Sequence, residues 1–147
     1  MQIEFKFYGK PFCKQSARFR AMKFGEKTIV KAYQPQEIVA EESSIREQIF
    51  RQLPDGFKMF QKSVVIDEVK FVFSAPQALM KQKNKELIEK ELLPKVSKPD
   101  LTDNLMKGLI DAMQHLVFRD DAIIHKVSNL EKVYGMTPYT YIKMTGE

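Results

Sequence analysis

Residues 63–73 read SVVIDEVKFVF, with five β-branched and two aromatic residues in eleven positions. Such a run fits a pleated, buried surface and predicts the central strand of a sheet. The rest of the chain must then supply neighbouring strands and apolar cover. QIEFKFY at 2–8 alternates Ile3, Phe5 and Phe7 with polar residues, the period of a half-buried strand, and stops at Gly9 and Pro11. Further strands are predicted near 28–33, 122–133 and 139–144. Ile38, Ile45, Ile49 and Leu53 recur at helical spacing, with Glu37, Glu41 and Glu42 in the early turns, and predict a helix over 35–52 that Pro54, Asp55 and Gly56 end. Good helix formers at 77–93 predict a charged surface helix, and another helix follows over about 103–116. This order of elements suits an α+β fold, a mixed β-sheet packed with helices.

The 147 residues, 44% of them hydrophobic, suffice for one core, and no linker divides them, so residues 1–147 read as one domain. Eleven Phe and five Tyr exclude the composition of a disordered chain. Apolar runs fall far short of the roughly 20 residues needed to cross a bilayer. The N-terminus alternates acids, bases and aromatics in place of a secretory signal. One cysteine, Cys13, is too few for an internal disulfide or a thiolate zinc site, which fits a reducing compartment. The expected location is cytoplasmic.

The charge is unevenly spread. The net charge is +5, but residues 1–33 carry eight basic side chains against Glu4 and Glu26, a surplus of six, which leaves the rest of the chain one negative. From Lys10 to Lys27 no strand or helix period is visible, and Phe12, Phe19, Phe24 and Tyr33 interleave with the bases. An irregular basic arm of this kind is the footprint of a surface that meets a polyanion; a solvated basic hairpin that contacts nothing is the bland alternative. Lys81, Lys83 and Lys85 on the charged helix are further candidates for DNA contact. His115 and His125 have no partner at metal-ligand spacing and read as ordinary histidines.

Residues 97–113, SKPDLTDNLMKGLIDAM, start a helix with more acids than a cap requires. At 100° per residue Leu105, Leu109, Ala112 and Leu116 share one face, which is core, and Asp103, Lys107 and Asp111 share the opposite arc. Asp100 precedes the helix, and the Asp120–Asp121 doublet precedes the next strand. Asp100, Asp103 and Asp121 together would make a hard-oxygen site for Mg²⁺ if the doublet returned beside the helix start. A cation held there would polarise a phosphoryl oxygen and activate water, with Lys107 offsetting developing charge. The same residues also read as helix caps, an i, i+4 ion pair and a turn.

KPDLTDNLMKGLIDAM at 98–113, FRDDAII at 118–124 and GKPFCKQSARFR at 9–20 make the sequence resemble the RusA-type Holliday-junction resolvases, small DNA endonucleases common in phages and prophages. The three stretches stand in that family's order and approximate spacing. The resemblance implies a RusA-like single domain in which Asp100, Asp103 and Asp121 bind Mg²⁺, with Mn²⁺ as a substitute, and Lys107 is the catalytic lysine. It implies supporting places for Asn104, Asp111 and Asp120. It also implies DNA contacts from the arm through Lys10, Lys14, Arg18, Arg20 and Lys23. Family members are homodimers that nick opposing strands of a four-way junction symmetrically and leave 5′-phosphate ends, in DNA recombination and repair. One residue separates the first two acids in the commonest form of the motif. Here Leu101 and Thr102 both intervene, so a bulge is needed for Asp100 to share a cation with Asp103.

The expectation is therefore a Mg²⁺-dependent, structure-selective endodeoxyribonuclease acting on branched DNA. A non-catalytic DNA-binding protein on the same scaffold, and a nuclease for flaps or RNA, are the alternatives. Binding without nicking marks the first, and a preference for those substrates marks the second.

Overall fold

A computed structural model of the chain describes residues 1–14 and 18–147; residues 15–17 and the side chain of Arg18 lie outside that description. The expected central strand is β4, Val64–Ser74. On one side it pairs antiparallel with β8, Tyr139–Gly146, which pairs antiparallel with β1, Gln2–Tyr8. On the other side β6, Ile124–Val127, runs parallel to the beginning of β4, and β7, Leu130–Gly135, runs parallel to its second half. A two-residue strand, β5 at Leu93–Pro94, closes that side against β7. The mixed sheet and the α+β class follow the sequence pattern.

Apolar residues on one face of β4, among them Val64, Ile66, Val69, Phe71 and Phe73, form the core with Phe5, Phe7, Ile142 and Met144 of the flanking strands. Helix α1, Gln36–Gln52, covers this face through Ile49, and the helical stretch after Asp100 covers it through Leu105, Leu109, Ala112 and Met113. Truncating a wholly buried residue such as Phe71 or Leu105 to Ala costs about 2–5 kcal/mol.

Several elements differ from the sequence expectation. The strand read over 122–133 is two strands, because β4 and β8 shift register between Ile66 and Glu68. Ser128 and Asn129 step around that irregularity, with Ser128 N–H donating to Ile66 O at 2.9 Å and the Asn129 amide to Asp67 O at 3.3 Å. The helix read over 77–93 is a 3₁₀ turn at Gln77–Leu79 and a short α2, Gln82–Glu89. Glu91 adopts the left-handed conformation (φ 56°) and turns the chain into β5. The irregular arm contains β2, Arg18–Phe24, paired antiparallel with β3, Lys27–Tyr33, around a left-handed Gly25. This ribbon forms a sheet of its own and every residue of β3 is exposed. β3 is the strand read near 28–33, whereas β2, with no core behind the ribbon, shows no hydrophobic alternation to read. Among the described residues no helix is long and apolar enough to cross a membrane.

Candidate active site

The helix expected over 103–116 is α3, Lys107–Met113, and it is preceded by a π-helical turn over Leu101–Met106. Leu105 N–H donates to Asp100 O, five residues back, at 3.1 Å. The wider turn absorbs the extra residue between the two acids, the device that the Leu101–Thr102 insertion calls for. Buried Leu105 and Met106, with Leu101 packed against the core, fix the turn from below and leave Asp100, Thr102 and Asp103 on the surface. At the far end of α3 His115 takes a left-handed conformation (φ 68°), and the Arg46 guanidinium donates to Ala112 O and Gln114 O at 3.0 and 2.9 Å. These bonds satisfy carbonyls that the helix leaves open.

The turn also redistributes the polar arc. Asn104, Gly108 and Asp111 face the root of the arm, whereas Asp103 and Lys107 stay exposed. The Asn104 amide donates to Lys14 O at 3.1 Å, and Lys14 N–H donates back to Asn104 O at 3.3 Å. Phe12 and Lys14 lie so close to Gly108 that an added Cβ would meet both at 3.1 Å. Lys14 Nζ bonds Asp111 Oδ2 at 2.9 Å and lies 3.7 Å from Glu42. Burial pushes the Lys14 ammonium down, but the bond to Asp111 and the charges of Asp111 and Glu42 outweigh it and hold it above its usual value. Lys14, expected on DNA phosphates, instead fastens the arm to α3. Asp111, expected to share an arc with Asp103 and Lys107, is its partner. Among the described residues no ion pair joins Asp103 to Lys107.

A cavity of about 590 Å³ opens beside Asp100. Asp100, Asn104, Lys10 and Lys98 line it, as do Cys13 and Glu41. Burial pushes the Cys13 thiol up, Lys10 works against that rise, and Glu41 and Asp100 add to it. Lys132 Nζ steadies the loop on the other side with bonds of 2.6 Å to Ser97 O and Pro99 O. Lys98, Glu41 and Lys132 were not read as site residues from the sequence, where Glu41 served only to mark the start of a helix. For Lys98 the signal was adjacency to the acidic motif; for the others only the fold supplies it.

Asp121 is elsewhere. It is exposed, opens a 3₁₀ turn at Asp121–Ile123, and leads into Ile124, which pairs with Val64. Asp120 caps that turn by accepting from Ala122 N–H at 2.9 Å, and its other oxygen lies 3.4 Å from Arg119 Nε. The cavity at Asp100 is lined by Phe73, nine residues further along β4, so the two acidic groups stand at opposite ends of that strand, roughly 30 Å of rise. The return of the doublet to the helix start does not occur within one chain. Among the described residues no three His, Cys, Asp or Glu side chains gather as a metal site. Asp100 and Asp103 are exposed carboxylates engaged in no ion pair among the described residues. Hard oxygens of that kind, completed by water and phosphate oxygens, fit what Mg²⁺ takes.

Lys10 lies on the cavity, and Arg20 and Lys23 lie on the ribbon. Arg20 pairs with Lys31 and Lys23 with Thr28, so Arg20, Lys27 and Lys31 share one face and Lys23 takes the other. The DNA contact expected of Arg18 falls on a side chain outside the described residues.

The family described as Endodeoxyribonuclease RusA matches residues 9–145, which include the arm, the π-turn, the cavity and the Asp doublet. Among curated proteins the chain is similar to the uncharacterized protein YqaN of Bacillus subtilis (strain 168), with 40% identity over 57 residues. That match covers 39% of this chain and 39% of YqaN.

Proposed function

Because the chain belongs to the RusA endodeoxyribonuclease family, we propose that it is a Mg²⁺-dependent endonuclease that resolves four-way DNA junctions by paired nicks as a homodimer. The observation that carries this reading is the π-turn, which exposes Asp100 and Asp103 together beside a cavity whose lining includes Lys10 and Lys98. In this reading Asp100 and Asp103 hold the cation. Bound Mg²⁺ supplies Lewis acidity and a water of lowered pKa. Lys107, one turn beyond Asp103, offsets charge on the phosphate oxygens as it develops. Lys10 and Lys98 hold the neighbouring phosphates, and the ribbon grips the backbone further out.

The opposite placement of Asp121 supports a centre shared between two copies. A two-fold axis that sets the Val64 end of one β4 against the Ser74 end of the other brings Asp121 of each copy to the Asp103 of its mate. Such a dimer holds two centres, which suits a two-fold junction with two strands to cut.

The test is to incubate a synthetic four-way junction with the protein, with and without Mg²⁺. Nicking that needs the metal supports the nuclease. Asp103→Asn is expected to abolish nicking and leave junction binding intact or tighter. The lack of a three-acid group among the described residues of one chain favours, as a second reading, a DNA-binding scaffold without catalysis. Binding without nicking in both tubes would select it.

A further inference from the structure

The cavity beside Asp100 has more wall than a cation needs. Two carboxylates and water suffice for Mg²⁺, yet the space extends to about 590 Å³, inside the roughly 300–1,000 Å³ typical of pockets that enclose an organic ligand. Its composition is divided. Pro11, Ile38, Phe73 and Pro99 give apolar surface, and the polar lining includes Lys10 and Lys98. Cys13 and Asn104 add small polar groups. A flat ring with a polar edge, tethered between two phosphates, matches this arrangement: the ring against the apolar walls and the phosphates against the lysines.

We propose that this cavity receives one unstacked nucleobase of the strand being cut, from a nucleotide adjoining the phosphate at Asp100 and Asp103. The proposal rests on the nuclease reading, which sets the scissile phosphate at those acids. Asp100 is itself part of the cavity lining, so a neighbouring nucleotide needs to rotate about its backbone but not to travel. Extrusion is least costly where a base is already unpaired or poorly stacked, and the centre of a branched junction offers such bases where continuous duplex does not. The pocket therefore supplies selectivity for branched over linear DNA at the cutting step, separately from the salt-sensitive grip of the ribbon.

Cys13 makes this testable, because it is the chain's only thiol and lies in the cavity lining. The experiment measures alkylation of the full-length protein by N-ethylmaleimide with EDTA present, so that nothing is cut. It compares free protein, an intact four-way junction, linear duplex, and junctions carrying a single abasic site at each central position in turn, with binding followed by gel shift. The intact junction is expected to slow Cys13 alkylation, because an occupant enclosed by the pocket covers the thiol in its lining. One abasic position is expected to restore the free rate while binding is unchanged, and duplex is expected to protect little. Equal protection by every abasic junction means that backbone merely covers the opening, and overturns the proposal. A bound junction that leaves alkylation unchanged overturns it as well. Ile38→Trp, which fills the cavity from the start of α1, is expected to slow junction cutting to the rate seen on linear duplex, with junction affinity retained; unchanged junction selectivity contradicts the pocket. Absence of metal-dependent nicking by the native chain, with the Cys13 pattern as expected, defeats the nuclease reading and leaves base capture standing.

Discussion

Lys14 shows how one side chain decides what a basic segment does. Its side chain is only 15% exposed, and its ammonium is bound by Asp111 with Glu42 close by, so its charge is spent inside the molecule, whereas Lys10 keeps its charge at the cavity. The sequence could not separate the two, because Asp111 is 97 residues away along the chain. Lys14→Met is expected to destabilise the protein by about 1.5–3 kcal/mol at neutral pH, the range for a hydrogen bond to a charged group. The folded-state pKa of Lys14 is raised, so its contribution is complete below the unfolded value of about 10.4 and is lost as the pH climbs through the higher folded value. Urea midpoints of the two proteins should therefore differ at pH 7 and converge in strong alkali. An equal gap at both pH values would mean that Lys14 acts through packing alone.

At the scale of elements, the π-turn is the feature that sequence spacing posed as a question and backbone geometry answers. Leu101 and Thr102 lengthen the gap between two acids, and the hydrogen bond from Leu105 to Asp100 shows where the extra length goes. Deleting Thr102 should convert the widened turn to an ordinary α-helical one without unfolding the protein, since Leu105 and Met106 keep their register into α3. The thermal midpoint of the deletion variant is expected to stay within about 2–4 °C of the native value, a change of about 1 kcal/mol for a chain of this length. Loss of cooperative unfolding would show that the turn is integral to the core. The strands with one buried face, β1 and β8, were legible because alternation records burial. Of the ribbon, β3 was read near 28–33 but β2 was not, since neither face of the ribbon packs on the core, and the split of β6 from β7 was not, since it depends on a register shift in a different strand.

For the whole molecule, charge and acid chemistry occupy different places. The ribbon presents Arg20, Lys27 and Lys31 on one face, and the acidic turn lies at the Ser74 end of the sheet. Junction affinity is expected to fall linearly with the logarithm of salt concentration, and replacing Arg20, Lys27 and Lys31 with Gln should lower the slope by about 0.9 for each phosphate contact removed. A slope that does not change would remove the ribbon from the DNA interface. The sequence reading placed the acids together. Convergence in space is a property of topology, and here β6 leads the Asp120–Asp121 doublet to the opposite end of β4.

A shared centre can be tested by mixing. Asp103→Asn and Asp121→Asn proteins are each expected to leave a four-way junction uncut in Mg²⁺. After the two are unfolded and refolded together, heterodimers contain one centre with both native acids, so nicking of one strand per junction should return. A mixture as inactive as either variant alone would contradict a centre built from the two ends of two chains.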